Sequence, residues 1–466
     1  MPSDNEPVFS GLGLLLALER GRGGTLHDQL ERSLRERVRS GRLSPGTRLP
    51  SSRALARELG ISRGVVLEAY AQLTAEGYLT SSQGAPTRVA ATASVERPPL
   101  LAGTLARRHG LDLSPGLPDL TSFPRAAWMR SLRAALREAP FDALGHGDPR
   151  GLAVLRNELM SYLGRTRGAA PEPEHTIVCT GFTQGLALLC RALEARGVER
   201  VALEDPGYAS HRLIAERAGL DVVPVAVDGE GIDVARLADT GCEVVVLTPT
   251  HQFPTGVVLS AERRAALLEW AEEMDALIVE DDYDSELRYD RLPVGALQGL
   301  APERVCHIGS LSKRVAPGLR LGWILSPSWL TGDLTYDKGV SDGGSPAVEQ
   351  LAAADFIARG ELDRHLRRMR LRYRGRRAAL LAGLGEARVG GIAAGLYLLL
   401  GLPDGVPEEA VVSGAAQRDV AVDPLSLHRI GEDGASGILV GFANLTEPAL
   451  ARAAQALLGV IDACMP

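Results

Sequence analysis

Two lysines, Lys313 and Lys338, stand among 466 residues, and the other 49 of the 51 basic side chains are arginine. Such a chain keeps a lysine where a guanidinium cannot serve. A guanidinium stays charged at every accessible pH, whereas a lysine amine can lose its proton, attack a carbonyl carbon and form a Schiff base. Lys313 lies in "GSLSKRVAPGLRLGW", residues 309–323, and is a candidate for that chemistry. Lys338, in the loop-like polar stretch "TYDKGVSDGG", reads as a surface or dimer-contact charge.

The elements that must position Lys313 are written as apolar runs. "TIVCT", "RVALED", "CEVVVLTPT", "ALIVEDD", "RVCHIGS" and "LRLGWILSP" alternate with helical stretches such as "SAERRAALLEWAEEM". That alternation predicts an α/β domain with a largely parallel sheet. Ligands of such sheets sit beyond the carboxyl ends of the strands. Asp281 closes one run, Ser310 to Lys313 follow another, and Gly181 to Gln184 follow "TIVCT" and open the helix "TQGLALLCRALEARG". A glycine turn at a helix start offers free amides to a phosphate. A lysine, a carboxylate, Tyr283 and a phosphate cradle on neighbouring strand ends together describe a pyridoxal 5'-phosphate site. The lysine carries the Schiff base, and an ionised carboxylate keeps the ring nitrogen protonated so that the ring withdraws electrons.

The N-terminal region is of another kind. Residues 20–90 hold 12 arginines against six acidic residues, a net of +6, although the whole chain carries −7. A basic segment joined to an acidic body points to a polyanion-binding module. In "LHDQLERSLRERVRSG" the residues Leu26, Leu30, Leu34 and Val38 form the stripe of an amphipathic helix ended by Gly41. "LPSSRALARELG" predicts a second helix capped by Ser51 or Ser52 and stopped at Gly60. "ISRGVVLEAYAQLTAEG" predicts a third, capped by Ser62, with Val65, Val66, Ala69, Tyr70 and Leu73 turned inward. Two short helices across a four-residue turn have helix-turn-helix spacing. "YLTSSQGAPTRVA" adds two extended stretches around a Gly-Ala-Pro turn, the shape of a wing.

These motifs carry two resemblances. "GRLSPGTRLPSSRALARELGISRGVVLEAYAQLTAEGYL" resembles the winged-helix domain of GntR-type bacterial regulators along its full length. The resemblance implies a double-stranded DNA operator as partner, with the third helix in the major groove. Ser62 and Arg63 would face base edges, Arg53 a phosphate or base, and Gln83 and Gly84 at the wing tip the minor groove. Gly64 departs from the small hydroxyl residue often found at its position.

From about residue 112 onward the chain resembles the fold type I, class I aminotransferases, with "SLSKRVAPGLRLGW" as the signature around their Schiff-base lysine. The resemblance implies Lys313 as that lysine, Asp281 as partner of the ring nitrogen and Tyr283 as donor to the phenolic oxygen. Ser310, Ser312 and Arg320, with the amides of Phe182 and Thr183, would hold the phosphate, and Tyr208 would stack on the ring face. Together the two halves resemble the MocR-type subgroup, which joins both modules and in which the dimer is often domain-swapped. The expected organisation is a winged helix over 20–90, a Ser-, Ala-, Pro-, Arg- and Gly-rich linker over 91–111, and an aminotransferase-like body over 112–466 with a smaller C-terminal subdomain.

The sequence departs from the aminotransferase pattern at three places. Phe253, in "THQFPTG", stands where an asparagine usually reaches the phenolic oxygen. His146 stands where a tyrosine often reaches the neighbouring subunit's phosphate. In "GILVGFANL", Leu439 or Val440 stands where an arginine would grip a substrate α-carboxylate, with Arg429 or Arg212 as displaced candidates.

The expected function is a transcription regulator whose body senses a small molecule, an amino compound or the cofactor itself. The rivals are a working aminotransferase with an attached DNA module and a regulator that binds a carbon metabolite without the cofactor. The five cysteines are odd in number and contain no CxxC pair, which argues against a disulfide framework or a metal site. No apolar run approaches a membrane span and no basic region precedes the N-terminal apolar patch, so a cytoplasmic protein is expected.

Overall fold

The computed structural model describes residues 18, 24–39, 43–81, 86–90, 110–289, 294–385, 389–431 and 434–465. Two compact units divide the chain, Met1–Arg107 and Arg108–Pro466.

The first unit holds three helices and a small hairpin: Leu26–Arg39, Ser52–Leu59, Arg63–Ala75, and the strands Leu79–Thr80 and Arg88–Val89. Leu30, Leu34 and Val38 of the stripe are buried against Leu55, Val66, Ala69, Tyr70 and Leu73. Leu26 and Val65 are only half-buried. Each helix boundary has a local cause. Ser51 caps the second helix by accepting from the Ala54 amide at 3.2 Å, and Gly60 ends it in the left-handed region at φ 66°. Ser62 then caps the third by accepting from the Val65 amide. Tyr70 donates to the Pro50 carbonyl at 3.0 Å, which fixes the third helix against the start of the second. Gly41, Gln83, Gly84 and linker residues 91–109 lie outside the described residues.

The second unit is built on an eight-stranded sheet. Its order is Thr176–Cys179, Gly322–Leu325, Val305–Ser310, Leu277–Asp282, Val244–Leu247, Arg200–Asp205, Asp221–Asp228, Gly231–Ile232. All six apolar runs read from the sequence contribute a strand. Gly322–Leu325 runs antiparallel to both neighbours and Gly231–Ile232 antiparallel to its one, while the strands between are parallel. Side chains alternate between faces with the period of two that a strand imposes. Val244 and Val246 join the cluster under the helix Phe182–Ala195, while Val245 and Leu247 join the one under Ala261–Glu273. A separate four-stranded sheet, ordered Val389–Gly390, Tyr397–Gly401, Gly437–Gly441, Asp423–Pro424, forms the C-terminal part with the helices Glu361–Leu384 and Glu447–Ala463. Leu111, at the end of the expected linker, is already paired in register with Val420.

Lys338 corrects one expectation. It is no surface charge in a loop but the fully buried side chain of the helix Ser328–Asp342, with Nζ 2.7 Å from Asp342 Oδ1. Asp342 also accepts from Gln184 Nε2 at 2.6 Å, and Gln184 Oε1 accepts from the Thr180 amide at 2.8 Å. The second lysine therefore braces the glycine turn that opens the helix Phe182–Ala195. Its polar neighbours made a helix look like a loop.

Candidate functional site

The parallel strands deliver their carboxyl ends to one edge of the sheet, and the antiparallel strand Gly322–Leu325 delivers its amino end there too. That topology gathers distant residues around a cavity of about 530 Å³. Lys313, Asp281, Tyr283, Ser310, Ser312, Arg320, Phe182, Thr183 and Tyr208 all line it. Strand pairing sets the spacing: Ile308 is opposite Asp281, Ser310 opposite Gly322, and Gly322 opposite Cys179.

Lys313 is placed by its neighbour. The guanidinium of Arg314 is fully buried, donating to Glu286 at 2.7 Å, to the Ser310 carbonyl at 2.7 Å and to the Asp282 carbonyl at 3.1 Å. Arg167 shares Asp282 with it, at 3.0 Å. This buried network clamps the loop and leaves Lys313 facing the cavity. Burial pushes the Lys313 amine below the ordinary lysine range, and the carboxylates of Asp281 and Asp284 oppose that shift without cancelling it. The shift makes the amine easier to deprotonate than that of an exposed lysine.

Asp281 offers one free oxygen. Its Oδ2 accepts from His211 Nε2 at 3.0 Å, while Oδ1 is buried and finds no partner among the described residues. Burial raises its pKa, and the His211 bond pulls the other way. Tyr208 is 39 % exposed and meets both Phe253 and His211 edge-on with centroids 5.3 Å apart. Gly181 takes φ 116° before the helix Phe182–Ala195, and a β-carbon there would come within 3.5 Å of the Arg320 guanidinium. Amides of a first helical turn and this guanidinium thus face the same space.

Beside Tyr283 and Phe253, further side chains enter the site without a signal in the sequence. Tyr283 donates to the His251 carbonyl at 2.8 Å and lies 3.4 Å from the Tyr397 hydroxyl. His251 Nδ1 is held 2.8 Å from Asp284. Tyr397, Asp423 and His428 line the cavity, and Phe253 lines it where the asparagine is missing. Leu439 packs with Phe253 and Tyr397, which line the cavity, whereas Val440 faces the main core. Neither displaced candidate lines the cavity. Arg429 donates to the Ala435 carbonyl and Arg212 to the Arg429 carbonyl. His146 is exposed and does not line it either.

On the first unit Arg53, Ser62 and Arg63 are all exposed at the start of the two short helices. Arg63 Nε donates to Ser52 at 3.2 Å, which ties the third helix's first residue to the second helix. Three residues, 60–62, separate the two helices.

Fold and site together define a helix-turn-helix regulator fused to an aminotransferase-type body. Residues 26–89 match the family "Bacterial regulatory proteins, gntR family", and residues 109–457 match "Aminotransferase class I and II". The chain is 36 % identical to the HTH-type pyridoxine biosynthesis transcriptional regulator PdxR of Corynebacterium glutamicum, over 94 % of this chain and 96 % of that protein. It is 32 % identical to the probable rhizopine catabolism regulatory protein MocR of Rhizobium meliloti, covering 92 % of each. Among solved structures, the kynurenine aminotransferase of Pyrococcus horikoshii, crystallised with PMP, superposes with a TM-score of 0.71 at 26 % identity, covering 78 % of this chain and 93 % of that one. The chain belongs to the MocR-type subgroup of GntR-family, DNA-binding transcription regulators with an aminotransferase class I and II domain. Among the described residues no helix is long and apolar enough to cross a membrane.

Proposed function

We propose that this regulator holds pyridoxal 5'-phosphate in the Lys313 cavity and that the occupancy of this cavity sets the affinity of its winged helix for an operator. The observation that carries the reading is the convergence of Lys313, the free Oδ1 of Asp281 and the Arg320–Gly181 cradle on one cavity. The cofactor's three handles have counterparts there. Lys313 would present its amine to an aldehyde carbon, Asp281 Oδ1 would accept from a ring N–H, and Arg320, Ser310, Ser312 and the amides of Phe182 and Thr183 would hold a phosphate. Tyr208 supplies an aromatic wall, and Tyr283 or Tyr397 a hydroxyl beside the phenolic oxygen. When bound, the cofactor supplies an electron-withdrawing ring and a carbon that amines can attack.

A ligand changes operator affinity only through unequal affinity for two arrangements of the protein. In this reading a domain-swapped homodimer supplies those arrangements, and the protein works in the cytoplasm. Steady transamination of α-amino acids is not part of it, since among the described residues Arg320 is the one guanidinium lining the cavity. Borohydride reduction of the cofactor-loaded protein, followed by peptide mass spectrometry, tests the reading. The cofactor's mass should appear on the peptide containing Lys313, and its absence there would sink the proposal.

A further inference from the structure

The small-sheet wall of the cavity presents an acid, Asp423, and no guanidinium among the described residues. Asp423 is the cross-strand partner of Leu439, so both project from the same face of the small sheet. Asp423 lines the cavity, and no donor among the described residues reaches its carboxylate. A second observation points to a ligand there. His428 is only 6 % exposed, lines the same cavity, and neither of its ring nitrogens has a hydrogen-bond partner among the described residues. Its ring is fixed edge-on to Phe253 at 4.9 Å. A buried imidazole left unsatisfied is costly, and a ligand that satisfies it beside the half-buried Asp423 gains that free energy.

We infer that Asp423 and His428 form a recognition site for the far end of a small effector amine, selecting a cationic ammonium or hydroxyl donor there and rejecting a carboxylate. Asp423 can only accept when ionised, so it binds a donor and repels an anion. Burial, with Asp112 beside it, already raises its pKa, a strain that an incoming cation relieves. Burial pushes His428 down to about 4, so at neutral pH the ring is uncharged and cannot replace an arginine. It offers instead one donor and one acceptor, which suits an ammonium or hydroxyl group beside the carboxylate.

The inference rests on the proposed cofactor reading, and its test separates the two. Protein loaded with pyridoxal 5'-phosphate would be titrated with cadaverine and with δ-aminovalerate, which differ at one end only. The cofactor's absorbance band is the readout. Cadaverine should perturb the band at a concentration about tenfold lower, a difference of ~1.4 kcal/mol. In Asp423→Asn the preference should shrink to within about threefold, or ~0.6 kcal/mol, while the unliganded band stays as in the parent. Equal or stronger response to δ-aminovalerate, or a preference unchanged in Asp423→Asn, overturns the inference alone. A protein that acquires no cofactor band overturns the underlying reading and this inference with it.

Discussion

Gly116 passes so close to Lys313 that a β-carbon on it would lie 2.9 Å from Nζ, at a backbone φ of 79° that side chains rarely adopt. The segment before the first body helix is thus a cover over the amine. Gly116→Ala should cost stability by about 1 kcal/mol through the left-handed backbone, and it should displace the amine as well. Cofactor uptake, followed as absorbance against added pyridoxal 5'-phosphate, should weaken. Uptake equal to that of the parent would mean that the cover does not bear on Lys313.

The free oxygen of Asp281 gives a second expectation. Asp281→Asn keeps the shape but removes the charge that holds a ring nitrogen protonated, and a charge-assisted hydrogen bond contributes about 1.5–3 kcal/mol. Cofactor affinity should fall roughly 10- to 150-fold. His211→Ala, which removes the bond at 3.0 Å to the other oxygen, should shift the band's pH dependence with a smaller loss of affinity. An Asp281→Asn protein with full affinity contradicts the assignment.

The sheet and much of the site were legible because their signals are local. Buried strands read as apolar runs, and the ends of those runs delivered Asp281, Ser310 and Lys313 directly. Asp221–Asp228 gives no apolar run because it lies near the sheet's edge, half of its residues exposed, with Pro224 in its middle. Lys338 was misplaced because the residues around it are polar, whereas its own side chain turns inward to Asp342. Tyr397, Asp423 and His428 reach the cavity from the small sheet and the turn beside it, and no spacing in the sequence reports such convergence.

On the winged helix, Arg63 and Arg53 carry the next expectation. Both are exposed, and neither belongs to the buried core of its unit. Arg63→Ala on a mapped operator should cost about 1–3 kcal/mol and relax preference at one base position if its fork reads a base. Arg53→Ala should weaken all sequences alike and flatten the salt dependence if it meets phosphate. Unchanged operator affinity in both variants would remove these residues from the interface.

Asp119 anchors the covering segment and makes its hold pH-dependent. It is 3 % exposed, accepts from Thr121 and Ser122, and lies 2.9 Å from Arg376 and 3.2 Å from Arg372. Burial works against its charge, but these hydroxyls and guanidinia outweigh it and hold the carboxyl down to about 2. Because the folded value is depressed, the stabilisation is present above the ordinary carboxylate range and is lost as pH falls toward about 2. Asp119→Asn should therefore be less stable than the parent near neutrality by at most about 2 kcal/mol. Denaturant unfolding across the acid range should show the two proteins converging. A constant gap down to the lowest pH would argue against the ion pairs as the cause.

Operator affinity measured with and without pyridoxal 5'-phosphate, for the parent and for Lys313→Ala on the same DNA fragment, asks whether the Lys313 cavity governs DNA binding. The parent's affinity should change by about 5- to 150-fold on cofactor addition, the span of a coupling of 1–3 kcal/mol. Lys313→Ala should still bind the fragment, since the lysine lies in the other unit, but should give no such response. A parent whose operator affinity ignores the cofactor, or a Lys313→Ala protein that responds as the parent does, would contradict the account.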